Sequence, residues 1–111
     1  MKEVYEFDLV CIGSGPAGQR AAVQAAKLGK KVAVIEKQTC IGGVCIETGT
    51  IPSKTFREAV RRLYAQTSFG QGAEAPRRQR PTMPQLLAQV DRVVQKESEG
   101  VRDALNRNDV T

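Results

Sequence analysis

The chain has 111 residues and a formal charge of +5, with 17 Lys and Arg against 12 Asp and Glu and no histidine; one domain, or part of one, is the usual content of ~100 to 200 residues. At 41% hydrophobic it can bury a core, but without Trp and with only five Phe and Tyr residues that core is thin. No apolar run approaches the roughly 18 residues of a membrane span, residues 1–6 lack a secretory apolar segment, and three cysteines do not make a secreted disulfide framework, so a cytoplasmic protein without membrane partners is expected.

The first element is an apolar strand, Leu9 to Ile12, running into Gly13-Ser14-Gly15-Pro16-Ala17-Gly18. Gly13 suits a tight turn, Gly15 lets main chain approach an anion more closely than a β-carbon allows, and Gly18 lets the next helix lie against its strand. The helix N-terminus adds unpaired N–H groups and a partial positive charge. Ala17, Ala21, Ala25 and Leu28 recur at helical spacing, Ala22 and Ala26 widen the small-residue stripe, and Gly29 supplies a stop. The second strand, Val32 to Ile35, is continuously apolar, which predicts a sheet covered on both faces and paired in parallel through the helical crossover. It ends on Glu36, placed to accept from ribose hydroxyls. Strand, glycines, helix and acid in this order predict an α/β, Rossmann-like βαβ unit that cradles a dinucleotide. The alternative is a glycine-rich βα turn without a ligand.

Residues 37–50 read as a loop containing Gly42-Gly43 and Gly49. A second helix opens at Ile51-Pro52-Ser53-Lys54, with Phe56, Ala59, Val60, Leu63 and Tyr64 at helical spacing, and ends near Gly70. Residues 70–81, rich in Gly, Pro, Gln and Arg, read as a flexible surface connection. Thr82 with Gln85 has the capping-box pattern, with Pro84 in the first turn of a long helix. Its stripe is Leu87, Val90, Val94, Val101 and Leu105, supplemented by Leu86 and Val93, and it ends about Asn108. The last residues read as the start of another strand, so two strands and three helices predict a truncated part of a larger fold, lacking flanking strands. Arg57, Arg61 and Arg62 on a helix and Arg77, Arg78 and Arg80 in the connection lack interleaved aromatics, so no nucleic-acid partner is expected. No metal-ligand cluster is evident.

The string Gly42-Gly43-Val44-Cys45-Ile46-Glu47-Thr48-Gly49-Thr50-Ile51-Pro52-Ser53-Lys54 resembles the N-terminal FAD-binding part of the pyridine nucleotide-disulfide oxidoreductases. That family carries a glycine pair, a cysteine, four residues, a second cysteine and an Ile-Pro-Ser-Lys-like helix start; here Thr50 stands at the second cysteine. Gly-Thr-Ile-Pro-Ser-Lys is similar to the family's soluble, Si-specific transhydrogenase branch, from which Glu47 and Thr48 depart, as does Val44 from the hydroxyl or glycine of many relatives.

The resemblance implies an FAD-dependent oxidoreductase in which Gly13, Gly15 and Gly18 cradle the pyrophosphate, Glu36 binds the adenosine ribose, and Pro16, Ala17, Lys37, Gly42, Gly43, Cys45 and Lys54 also belong to the cofactor site. It implies Lys54 near the flavin, Thr50 as a hydrogen-bonding group and Cys45 as the flavin-distal cysteine; a solvated first-turn lysine and a structural thiol are the alternatives. Because Thr50 cannot be a thiolate, hydride would pass between NADPH and NAD through FAD. The nicotinamide-binding and dimerisation domains would lie outside these residues, leaving the piece itself inactive, and the parent protein would be a homodimer or larger. Two other readings stay open: a disulfide or metal reductase pairing Cys45 with a cysteine elsewhere, such as Cys40, and a non-catalytic nucleotide-binding module. Cys11, inside the first strand, reads as a small core hydrophobe.

Overall fold

The computed structural model describes residues 4, 6–68 and 81–111. In chain order the elements are β1 (Leu9–Ile12), α1 (Pro16–Lys27), β2 (Val32–Ile35), α2 (Val44–Glu47), α3 (Thr50–Ser68) and α4 (Met83–Asn106). β1 and β2 pair in parallel, Leu9 opposite Val32 through Ile12 opposite Ile35, as a helical crossover requires. Thr111 extends the sheet on the other edge of β2, donating from its N–H to the Val32 carbonyl at 3.0 Å and accepting from the Val34 N–H at 2.7 Å. The last residues therefore join the sheet, as the sequence predicts.

The core forms where α1 and α4 meet one face of this sheet. Ala22, Val32, Leu105 and Val110 are its buried centre, with Leu9, Cys11, Val23, Ala25, Ala26, Val34, Ile41 and Val101 packed around them. Burying a Leu or Val side chain contributes about 1.5–3 kcal/mol, so this small set anchors three elements. Cys11 belongs to it, as expected of a small hydrophobe.

Both helices that flank the core end in the same device. At the end of α1 the Gly29 N–H donates to Ala26 and the Lys30 N–H to Ala25, with Gly29 at φ +75°. At the end of α4 the Asp109 N–H donates to Asn106 and the Val110 N–H to Leu105, with Asp109 at φ +55°. These are Schellman closures. In the second, Val110 and Leu105 supply the accompanying apolar contact, which directs the chain back into the sheet. The α4 start carries the reciprocal limb of a capping box, the Thr82 N–H donating to Gln85 Oε1 at 2.8 Å.

Several expectations are corrected. The buried stripe of α1 runs through Ala22, Ala25 and Ala26, while Ala17, Ala21 and Leu28 are exposed. No described element packs on that side. For the same reason the second face of the sheet is open among the described residues: Ile12 is 90% exposed and Ile35 57%. On α3, Ala59 is buried but Val60 and Tyr64 are exposed, and Leu87 of α4 is exposed too. Residues 37–50 are not wholly loop, since α2 forms a single turn after Gly43. The predicted connection at 70–81 lies, apart from Pro81, outside the described residues. Arg61 and Arg62 reach Glu58 in exposed ion pairs of 3.9 and 3.4 Å, contacts worth little to stability.

The same substitution should act with opposite sign at two glycines. Gly29→Ala forces a β-carbon into the left-handed region and should lower unfolding free energy by about 1 kcal/mol. Gly100 sits inside α4, where an added β-carbon meets nothing within 4 Å, and Gly100→Ala should raise it by about 0.5–1 kcal/mol. Urea denaturation of both variants measures the pair; equal signs would contradict the assigned geometries.

Candidate functional site

Between β1 and α1 the chain turns at Gly13, whose φ of +97° lies in the left-handed region that glycine occupies without strain. A β-carbon on Gly18 would press into the Gly13 carbonyl oxygen, so α1 lies directly on the turn. At Gly15 an added β-carbon would meet nothing within 4 Å. That open space beside bare main chain is the volume a phosphate occupies in a dinucleotide cradle. Gly15 caps α1 without a side-chain hydrogen bond, Pro16 has no N–H, and the first carbonyl-paired amide is Gln19, which donates to Gly15 at 3.0 Å. The amides of Ala17 and Gly18 thus start the helix at its positive end.

The glycine pair closes on this turn from the other side. Gly43 has φ +74°, and a β-carbon there would stand 2.7 Å from the Gly15 Cα. Two backbones touch here, and at position 43 a side chain would not fit between them. The 37–43 loop is anchored by consecutive amides: Ile41 N–H donates to Ser98 Oγ and Gly42 N–H to Ser14 Oγ, each at 2.9 Å. The Cys45 thiol points back at the pair, donating to the Gly42 carbonyl at 3.5 Å.

Glu36 stands at the end of β2 with its carboxylate turned onto the glycine turn. Its Oε2 accepts from the Ser14 hydroxyl at 2.6 Å and the Ser14 N–H at 2.9 Å. Its Oε1 accepts from the Lys37 N–H at 2.8 Å and the Gln38 N–H at 3.1 Å, and these two bonds are exposed to solvent. The Ser14 hydroxyl, then the Ser14, Gln38 and Lys37 amides, hold the carboxyl well below its ordinary 4.5, at about 2. A cavity of about 120 Å³ opens beside it, lined by Ser14, Glu36, Ile41, Arg102 and Thr111 among others. The inner oxygen is therefore fixed by the chain, and the outer one faces solvent, from which a hydroxyl donor can approach.

The structure thus brings together Gly13, Gly15, Pro16, Ala17, Gly18, Glu36, Gly42, Gly43 and Cys45. Lys37 enters through its amide, with its side chain exposed. Thr50 and Lys54 stand exposed in the first turn of α3, and among the described residues no hydrogen bond ties either side chain to the cradle. Cys40, Cys45 and Cys11 are all unpaired thiols. Ser14 and Ser98 were not legible as site residues: a serine between two glycines or in a helix carries no spacing signal, and only the fold shows which amide each one meets.

A parallel βαβ unit with a naked-backbone turn, an acid at the end of its second strand and open space at Gly15 is a dinucleotide-binding element. The chain belongs to the FAD-dependent oxidoreductases, whose family model matches residues 8–102. It is 51% identical over 109 residues to the soluble pyridine nucleotide transhydrogenase of Mycobacterium bovis (strain BCG / Pasteur 1173P2), a match covering 95% of this chain and 23% of that protein. The soluble pyridine nucleotide transhydrogenase of Chromohalobacter salexigens is 57% identical over 60 residues, 54% of this chain and 13% of that protein. Among solved structures, the HOCl-induced flavoprotein disulfide reductase RclA from Escherichia coli is similar with a TM-score of 0.72 at 26% identity, over 93% of this chain and 20% of that one. The chain thus spans about a fifth to a quarter of the length of the Mycobacterium bovis protein and of RclA.

Stability should carry a pH signature from Glu36. Its folded pKa lies below the unfolded value, so its contribution is present above about 4.5 and is lost as pH falls toward about 2. Denaturation midpoints followed across that window should fall more steeply for the wild type than for Glu36→Gln, and parallel slopes would contradict the hydrogen-bonded carboxylate.

Proposed function

We propose that this chain is the FAD-holding element of a pyridine nucleotide transhydrogenase, the parent protein passing hydride between NADPH and NAD. The observation that carries this reading is Thr50, which occupies the place of a redox cysteine in a chain 51% identical to proteins named soluble pyridine nucleotide transhydrogenase. Bound FAD would supply the two-electron acceptance and return of a hydride. The Gly13–Gly18 turn and the amides of Ala17 and Gly18 would hold the pyrophosphate, and Oε1 of Glu36 would accept from the adenosine ribose. Lys54 would lie near the flavin, where a positive charge favours the anionic reduced ring, and Thr50 would hydrogen-bond there. Cys45, its thiol committed to the Gly42 carbonyl, would serve structure and not electron relay.

The sequence holds no second Gly-x-Gly-x-x-Gly, so nicotinamide binding and dimerisation are assigned to residues outside this chain, and the parent protein is read as a cytoplasmic homo-oligomer. Lacking them, the 111-residue chain should not turn over. A protein carrying this element at the length of its relatives should reduce thio-NAD with NADPH and leave lipoamide and glutathione untouched. Dithiol-dependent turnover, with thiolate-to-flavin absorbance on reduction, would favour a disulfide reductase instead.

Two glycine variants test the cradle itself. Gly15→Ala should fold as the wild type does, since its β-carbon enters open space, yet lose FAD affinity by more than about tenfold because that space is the ligand's. Gly18→Ala should lower stability and affinity together. Fluorescence quenching of titrated FAD, with circular dichroism of each variant, reads both; full affinity in Gly15→Ala would contradict the assignment.

A further inference from the structure

We propose that Ser14 is a positioning residue for the dinucleotide, its hydroxyl joining the Gly42 amide to the inner oxygen of Glu36 so that the glycine-pair loop and the ribose-accepting carboxylate are set as one unit. The proposal rests on the assignment of Glu36 to the ribose made above. A turn that meets its ligand through main chain asks nothing of the side chain at position 14. This one is nonetheless fully buried, and all its polar atoms are committed. The hydroxyl donates to Glu36 Oε2 at 2.6 Å and accepts from the Gly42 N–H at 2.9 Å. The amide donates to the same Oε2 at 2.9 Å, and the carbonyl accepts from Gln19 Nε2 at 2.7 Å.

A hydroxyl is one donor and two acceptors, so it can link an amide N–H to a carboxylate where a second ammonium or a second ionised carboxylate could not. The two groups it links belong to different parts of the cradle: Gly42 precedes the glycine that touches Gly15, and Glu36 faces the ribose side. Removing the hydroxyl leaves the buried Gly42 N–H without an acceptor and frees half of the carboxylate's inner anchorage. Ile41 remains tied to Ser98, so the loop keeps its second anchor and the variant retains a route to the folded state. The loss should then fall on the aim of Glu36.

The test is a double-mutant cycle on FAD affinity using Ser14→Ala, Glu36→Gln and the pair, each checked for folding by circular dichroism. A hydrogen bond to a charged group accounts for a loss of about tenfold or more. Ser14→Ala should show that loss, and the double variant should bind no more weakly than Glu36→Gln alone, because Ser14 acts through Glu36. Losses that multiply would overturn the proposal, as a purely structural serine would weaken binding independently of residue 36. Wild-type affinity in Ser14→Ala with weakened Glu36→Gln would overturn it while leaving the ribose assignment standing. Wild-type affinity in Glu36→Gln would remove the ribose assignment and the proposal with it. Should Ser14→Ala fail to fold, Ser14→Cys, similar in shape with a weaker donor, takes its place in the same cycle and is read by the same criteria.

Discussion

Three stretches of main chain meet at the start of α1 with no room for a side chain between them. Gly18 lies on the Gly13 carbonyl, and Gly43 would meet the Gly15 Cα at 2.7 Å if it carried a β-carbon. This close approach leaves the amides at the helix start bare and the space over Gly15 open. An anion's stabilisation at such a place comes from aligned N–H groups and from the helix terminus, both of which depend on backbone being reachable. The surrounding hydrogen bonds hold that arrangement in register. Ser14 and Ser98 receive the two successive amides of the 37–43 loop, while Glu36 gathers both Ser14 donors and two amides of its own turn.

Much of the fold was legible because its decisive residues obey local rules. A glycine with a positive φ after α1, an apolar run at β2 and a capping pair at Thr82 and Gln85 each act within a few residues, and each appears where its chemistry places it. What could not be read depended on neighbours distant in sequence. The spacing places Ala17, Ala21 and Leu28 on the α1 stripe together with Ala22, because small residues spread over about half of the helix and periodicity alone cannot say which part of that arc meets the sheet. The single turn of α2 was hidden in a loop because four residues are too few to show a helical period. A continuous apolar strand predicted two covered faces, whereas the described residues cover one; hydrophobicity records what a strand can bury, not what lies against it within this stretch of chain.

The candidate site divides along the same line. The glycines and Glu36 follow from the chemistry of a dinucleotide turn and sit together in the structure. Ser14 was invisible because its importance lies in two contacts, 22 and 28 residues away in sequence. Thr50 and Lys54 carry the functional assignment by their place in a motif rather than by contacts, and they stand exposed at the start of α3. The family membership of the chain and the chemistry of its cradle therefore support each other at the pyrophosphate end, while the choice of transhydrogenation follows from a residue that cannot be a thiolate.

The central claim is that FAD lies with its pyrophosphate against the bare backbone of residues 13–18. A crystal structure of the protein with FAD tests it most directly. The account predicts phosphate oxygens within hydrogen-bonding distance of the amides at the start of α1 and a ribose hydroxyl on Glu36 Oε1. Flavin bound elsewhere, with Gly15 still facing empty solvent, would contradict it.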